Sequence, residues 1–314
     1  MSVLGVVSYA LEIPALAAGA KFYADAGLEV SVDGNVAHCR CPGQQRDSII
    51  LFGGAPAKRL RYITLRAADI DSMMEAVIEY GGRPTVPPQV AEGNGVWLLD
   101  PHDMLIQLLD CPPDPDTFVA PPFQINSPGA LVRKGRSGIL PRQTYGSVKP
   151  LRLGHVLVFT PDVMKSVSFF TQALGMGLAD RAQEVIAFCC TRANSDHHVV
   201  AFAKSPGIGF HHASFQVTDP DEVGRAGRDL VTATGRGDWG FGRHTIGSNF
   251  FHYIQDPWGS WFEYYSDMDH IDDYSQWKPT NYGMEDSLAN WGPPVPVDFV
   301  HNYEISAAPP SRAP

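Results

Sequence analysis

At a typical ~150 residues per domain, 314 residues make about two domains, and 44% hydrophobic with 18% charged residues is a globular balance that excludes a disordered or fibrous chain. With 24 Lys and Arg against 34 Asp and Glu the formal charge is −10. That acidity argues against nucleic acid or an anionic membrane as partner and for a small molecule that is not strongly anionic. Cys39, Cys41, Cys111, Cys189 and Cys190 match neither a zinc ribbon nor a redox pair, and read as reduced thiols of a cytoplasmic protein.

In chain order, the first apolar stretch, Val3 to Ala20, ends in small residues like a cleavable signal. No positive charge precedes it, however, and Glu12 and Pro14 interrupt it. No apolar run approaches the ~20 residues that cross a bilayer. Val7-Ser8-Tyr9-Ala10, followed by Phe22-Tyr23 and Gly27-Leu28, recurs as Gly154-His155-Val156-Leu157 with Phe169-Phe170 and Gly175-Met176. Arg61-Tyr62-Ile63-Thr64-Leu65 corresponds to His211-His212-Ala213-Ser214-Phe215, each leading to an acidic helix start at Asp69 and Asp219. Asp100-Pro101 with Gln107 corresponds to Asp256-Pro257 with Glu263 at the same spacing. Three landmarks in one order indicate a tandem duplication. Each half divides again, so four α+β units of about 50 residues are expected, each reading β-α-β-β-β.

The expected boundaries are a domain over 1–111, a Pro-, Gly- and Ser-rich linker over 112–150, a second domain over 151–270, and a tail over 271–314 that packs back on the second domain. The tail's acids read as a solvated face, its aromatics need packing partners, and its last eight residues are expected to be disordered.

Of eleven histidines only His38 and His102 precede residue 150. In the repeat alignment His155, His212 and Glu263 fall opposite Ser8, Tyr62 and Gln107. Singly, each would pass for an ordinary core histidine or surface glutamate. Together, at matched repeat positions, two imidazoles and a carboxylate form the ligand set of a non-haem Fe(II) site, or equally of a catalytic zinc. Residues 212–217 alternate polar and apolar, which predicts one face toward a wet cavity and the other against helices. Neither a Walker run nor a strand-anchored dinucleotide loop is present, so no organic cofactor is expected.

The run Gly242-Arg243-His244, then Tyr253, Asp256-Pro257, Gly259 and Glu263, resembles the signature of the type I extradiol ring-cleavage dioxygenases of the vicinal oxygen chelate superfamily. It departs at His252, where an apolar residue is usual; beside Tyr253 on a strand, that side chain should point away. The resemblance implies two domains, each a partly open β-barrel around a cavity with helices outside, the first lacking metal ligands. It also implies Fe(II) on His155, His212 and Glu263, with O2 as co-substrate and a small aromatic diol as substrate. His198, with His197 as the competing choice, is then the acid/base beside bound oxygen, and His244 and Tyr253 bond the substrate oxygens. Trp239, Phe241 and Asn249 are expected to shape the pocket, and Arg243 to point outward. Within the family the chain looks most like the trihydroxytoluene oxygenases, and a homo-oligomer is implied. The competing readings are a glyoxalase-like metal-dependent isomerase or lyase and a non-catalytic small-molecule-binding module.

Overall fold

The computed structural model describes residues 2–88, 95–114, 124–138 and 146–306. Its elements fall into four βαβββ units. The first is β1 (Ser2–Glu12), α1 (Leu16–Asp25), β2 (Glu29–Asp33), β3 (Val36–Arg40) and β4 (Ile49–Phe52). The second is β5 (Arg59–Ala68), α2 (Met74–Glu79), β6 (Arg83–Thr85), β7 (Val96–Leu99) and β8 (Leu105–Leu109). The third is β9 (Arg152–Thr160), α3 (Val163–Ser168), β10 (Gly177–Ala182), β11 (Ile186–Cys190) and β13 (Val200–Lys204), with an additional short strand, β12 (Ala193–Asp196), before its last member. The fourth is β14 (Gly209–Gln216), α4 (Pro220–Thr234), β15 (Asp238–Arg243), β16 (Phe250–Gln255) and β17 (Trp261–Ser266). Two tail strands follow, β18 (His270–Asp273) and β19 (Thr280–Tyr282).

Strong local signals set the helix starts. Asp219 accepts a hydrogen bond from the Glu222 N–H at 2.9 Å, Pro220 opens α4, and Gly235 closes it at φ +65°. Asp162 caps α3 in the same way through the Lys165 N–H.

The units pair into two mixed sheets, ordered β2-β3-β4-β1-β5-β8-β7-β6 and β15-β16-β17-β14-β9-β13-β11-β10-β19. Both are open between their edge strands, partly closed barrels with helices outside. The two copies share a register: β1 and β5 set Ser8 opposite Thr64, and β9 and β14 set His155 opposite Ser214. One apolar core runs through both copies, with Tyr9 stacked on Phe210 at 4.5 Å and Phe22 edge-on to Phe262. The two domains are therefore welded at the core and not only linked by chain.

Between Leu109 and Arg152 the described residues form no helix or strand, only an isolated Ser127–Ala130 bridge. The tail adds β19 to the edge of β10, and β18 pairs with β12. Trp277 donates its indole N–H to the Ala179 carbonyl at 2.8 Å. Trp291 departs from the expectation that the tail aromatics pack away: it is 45% exposed, lying against Phe241 and Phe250. Residues 307–314, expected to be disordered, lie outside the described residues. All five cysteines are free, and burial pushes the Cys41 and Cys190 thiols up to about 12. Among the described residues no helix is long and apolar enough to cross a membrane.

Candidate active site

Three adjacent strands of the second sheet gather the first set of side chains. β9 places His155 opposite Ser214 on β14, and β14 runs parallel to β17 with Ser214 opposite Glu263. His212 is two residues from Ser214 and so shares its face. His155 Nε2 lies 3.3 Å from His212 Nε2 and 3.3 Å from Glu263 Oε2, and His212 Nε2 lies 3.6 Å from the same oxygen. All three residues are buried. Among the described residues they are the one group of His, Cys, Asp or Glu whose ligand atoms all lie within 4.8 Å of one another.

The two oxygens of Glu263 have different surroundings. Oε1 accepts from the Asn249 amide at 3.2 Å, whereas Oε2, facing the two imidazoles, makes no well-formed hydrogen bond. Burial alone would raise this carboxyl, but His155, His244 and His212 beside it hold it well below the usual carboxylate range. Burial likewise lowers His212, keeping its ring neutral with a lone pair to offer. An ionised buried oxygen without a well-formed hydrogen bond, facing two imidazole Nε2 atoms, fits a divalent first-row metal with open positions. At the corresponding place in the first sheet Thr64 donates to Gln107 at 2.8 Å, beside Tyr62 and Ser8, and no such set exists.

Strict alternation predicts that His211 and His212 point to opposite faces, with a wet face on β14. His212 does line the cavity, and the structure corrects the first point. The register shifts between Phe210 and His212, so His211 forms a β-bulge, and both rings line the same cavity. Their Nδ1 atoms are 2.6 Å apart, and seven of the eight residues of β14 are buried. The Phe299 carbonyl engages His211, while burial pushes that ring down to about 4. A carbonyl only accepts, so the His211 nitrogen facing it carries the proton, and Nδ1 accepts from His212 Nδ1–H. That leaves the lone pair of His212 on Nε2, the atom nearest Glu263. An outer-shell partner fixing a ligand's tautomer in this way is a recurrent feature of metal sites.

The next pair of adjacent histidines separates cleanly. His198 lines the cavity, its ring 4.2 Å from that of His155, and burial holds it well below the ordinary imidazole range. His197 is fully buried behind it. On the opposite wall His244 Nε2 lies 3.0 Å from the Tyr253 hydroxyl, and His244 Nδ1 contacts the Leu288 carbonyl. His244 Nδ1 therefore holds the proton, and Tyr253 donates to Nε2. Burial, then the Glu263 charge, raises Tyr253 well above 10, so it stays a neutral donor.

Of the expected pocket residues, Asn249 lines the cavity, but Trp239 and Phe241 do not. Trp239 is 1% exposed, stacks on Tyr253 at 5.4 Å and donates to the Pro293 carbonyl, so it supports the tyrosine from behind. Phe241 lies on the other side of the strand, stacked on Phe250. Arg243 points outward to Asp267 at 2.9 Å, and His252 points away to Asp238 at 2.8 Å. Sequence reasoning missed the apolar wall, Ile186, Phe188 and Ile246, and the tail residues Leu288 and Val300 that complete it. No lysine or arginine lines this cavity among the described residues.

Residues 152–264 match the Glyoxalase/Bleomycin resistance protein/Dioxygenase superfamily. The chain is 36% identical over 303 residues to metapyrocatechase 2 of Cupriavidus necator, covering 94% of this chain and 91% of that one. It is 34% identical over 123 residues to 3-methylcatechol 2,3-dioxygenase of Pseudomonas putida, covering 36% of this chain and 40% of that one. The fold superposes on 2,2',3-trihydroxybiphenyl 1,2-dioxygenase of Sphingomonas wittichii with a TM-score of 0.70 at 22% identity, covering 93% and 99% of the two chains. It superposes equally on a Mn(II)-bound glyoxalase of Novosphingobium aromaticivorans, with a TM-score of 0.72 at 23% identity over 94% and 95%. Fold alone does not separate the two chemistries; the near full-length relative does, and the chain belongs to the type I extradiol ring-cleavage dioxygenases of the vicinal oxygen chelate superfamily, enzymes that open catechol-type rings.

Proposed function

We propose that the protein is an Fe(II)-dependent extradiol dioxygenase that opens the ring of a neutral substituted catechol or trihydroxyarene, 2,4,5-trihydroxytoluene among them, to a muconic semialdehyde-type acid. His155, His212 and Glu263 would hold the metal. When bound, the metal supplies positive charge that acidifies a chelated diol, and one centre on which diol and dioxygen meet. The observation that carries the reading is the orphaned Glu263 Oε2 between two imidazole Nε2 atoms in a buried cavity.

The remaining groups divide the proton work. Tyr253, a neutral phenol, donates a hydrogen bond, and His244 Nε2 accepts one, so the pair can hold one substrate oxygen as either hydroxyl or anion. On the opposite side His198, neutral through burial, takes a substrate proton and returns it to oxygen when the O–O bond breaks. Ile186, Phe188 and Ile246 exclude water and suit an apolar ring substituent; the absence of a lysine or arginine from the described lining suits a neutral one.

Reconstitution with Fe(II) and, separately, Mn(II) under anaerobic conditions, then oxygen-electrode assays with catechol, 4-methylcatechol and 2,4,5-trihydroxytoluene, tests the proposal. Substrate-dependent oxygen uptake with stoichiometric ring-opened product is expected for iron. No uptake with any diol sinks it, and uptake with manganese alone reassigns the metal. The same reading assigns residues 1–111 to a scaffold domain, 112–150 to a linker, 151–270 to the catalytic domain and 271–314 to a packing tail, in a cytoplasmic homo-oligomer. Light scattering on the eluting protein checks the last point, and a monomeric mass would refute it.

A further inference from the structure

Behind His198 lies a buried chain of polar groups that touches neither the cavity nor the three candidate ligands. Asp180, on β10, receives the backbone N–H of Thr280, on the tail strand β19, at Oδ1 (2.6 Å) and faces His197 Nε2 through Oδ2 (2.7 Å). His197 Nδ1 in turn lies 3.1 Å from His198 Nδ1. His197 is 0% exposed and Asp180 3%, so water does not substitute for any of these partners. The Asp180 carboxylate only accepts, so His197 Nε2 must carry its proton. With its one ring proton on Nε2, His197 presents a lone pair at Nδ1, which is matched by a proton on His198 Nδ1. His198 Nε2, with no hydrogen-bond partner among the described residues, is left as the lone pair.

We propose that Asp180 and His197 are positioning residues that hold His198 in its Nδ1–H tautomer, so that the nitrogen left for the substrate is a base. The inference rests on the reading of His198 as the site's proton carrier. The pair His211–His212 uses the same device, an outer imidazole anchored by an oxygen acceptor and an Nδ1–Nδ1 contact that frees Nε2. A wrong tautomer can disable a histidine base without disturbing its position, as an Asp→Asn change does in serine proteases.

Asp180→Asn gives a sharp test because Thr280 fixes which way the amide faces. Its N–H claims the carbonyl oxygen, so the NH2 takes the place of Oδ2 and donates to His197 Nε2. His197 must then carry its proton on Nδ1, His198 Nδ1 accepts, and His198 Nε2 becomes N–H. Histidine-selective 15N labelling and long-range 1H–15N correlation at about pH 8, above the ordinary imidazole range, read each tautomer directly in metal-free and zinc-loaded protein. The expected result is Nδ1–H for His198 in the wild type and Nε2–H in Asp180→Asn. In the iron-loaded variant kcat should fall by about 10²–10⁴-fold with metal content and diol KM unchanged. A wild-type His198 in the Nε2–H form overturns the inference without any variant. So does an Asp180→Asn protein that keeps the wild-type tautomer and turnover. A tautomer that flips as expected in a chain whose His198→Ala variant turns over normally refutes instead the role given to His198.

Discussion

A stump in place of one imidazole at position 212 removes a neutral nitrogen donor and leaves His155 alone beside Glu263 Oε2. His212→Ala should therefore weaken Fe(II) binding by more than the roughly 10–100-fold that loss of an outer-shell partner costs, read as metal retained after gel filtration. His198→Ala should behave oppositely, since the ring sits beside His155 but outside the candidate ligand set. Metal content and diol affinity should persist while kcat falls by about 10²–10⁴-fold, and full turnover would remove His198 from the mechanism. His252, on the far side of its strand, titrates differently from a surface histidine. Burial lowers it, outweighing the opposing pull of Asp238. The unfolded chain thus binds a proton at about pH 6.5 before the folded one does, and stability falls as pH drops below that value toward the lowered folded one. Urea midpoints at about pH 8 and about pH 5.5 should show a larger acid loss for the wild type than for His252→Gln, whose amide does not titrate. Equal losses would place the acid sensitivity elsewhere.

The same histidine governs how α4 seats on β16. A Cβ on Gly227 would overlap the His252 ring, which is held from behind by its bond to Asp238. In a free helix Gly→Ala gains about 1 kcal/mol. Here overpacking should win, with a net loss of about 1–3 kcal/mol. A Gly227→Ala protein more stable than wild type in urea would show that the helix can lift without cost. At this scale the legible and the hidden part ways for physical reasons. The four units, the starts of α3 and α4, and the gathering of His155, His212 and Glu263 follow from local capping chemistry and from register inherited by duplication, both of which repeat along the chain. The bulge that turns His211 into the cavity breaks the alternation that a sequence reading depends on. Phe241 sits within a second register shift in β15, between Gly240 and Gly242, and neither it nor Trp239 lines the pocket. Asp180 and His197 meet only when β10 folds against the segment before β13, a contact with no local signature.

Across the whole molecule, the tail is bolted to both sheets by one buried ion pair. Lys58 Nζ lies 3.0 Å from Glu304 Oε1, with the two side chains 3% and 7% exposed, and also donates to the Phe210 carbonyl at 3.1 Å. Glu304 accepts the Leu60 N–H at Oε2 and the Phe210 N–H at Oε1, each at 2.9 Å. One carboxylate thus joins the lead-in to β5 in the first sheet, the start of β14 in the second, and the segment that carries Phe299 and Val300 to the cavity. Glu304→Gln keeps the size but leaves the Lys58 charge buried and unpaired, which costs about 3–5 kcal/mol. The segment around Glu304 should then open before either sheet unfolds, since it is left to the Asn302 hydrogen bonds to residues 205–208 and the packing of Phe299 among Trp239, Tyr253 and Trp261. Limited proteolysis should cut the variant within residues 283–306 under conditions that leave the wild type whole, and the diol KM should rise while iron content stays constant. Lys58→Met in the same chain removes the stranded charge, so the double variant should recover much of the lost stability. Such non-additivity would show that the single variant's cost is a buried unpaired lysine. A Glu304→Gln protein with wild-type urea midpoint, protease resistance and KM would mean instead that the tail holds its place over the cavity without that ion pair.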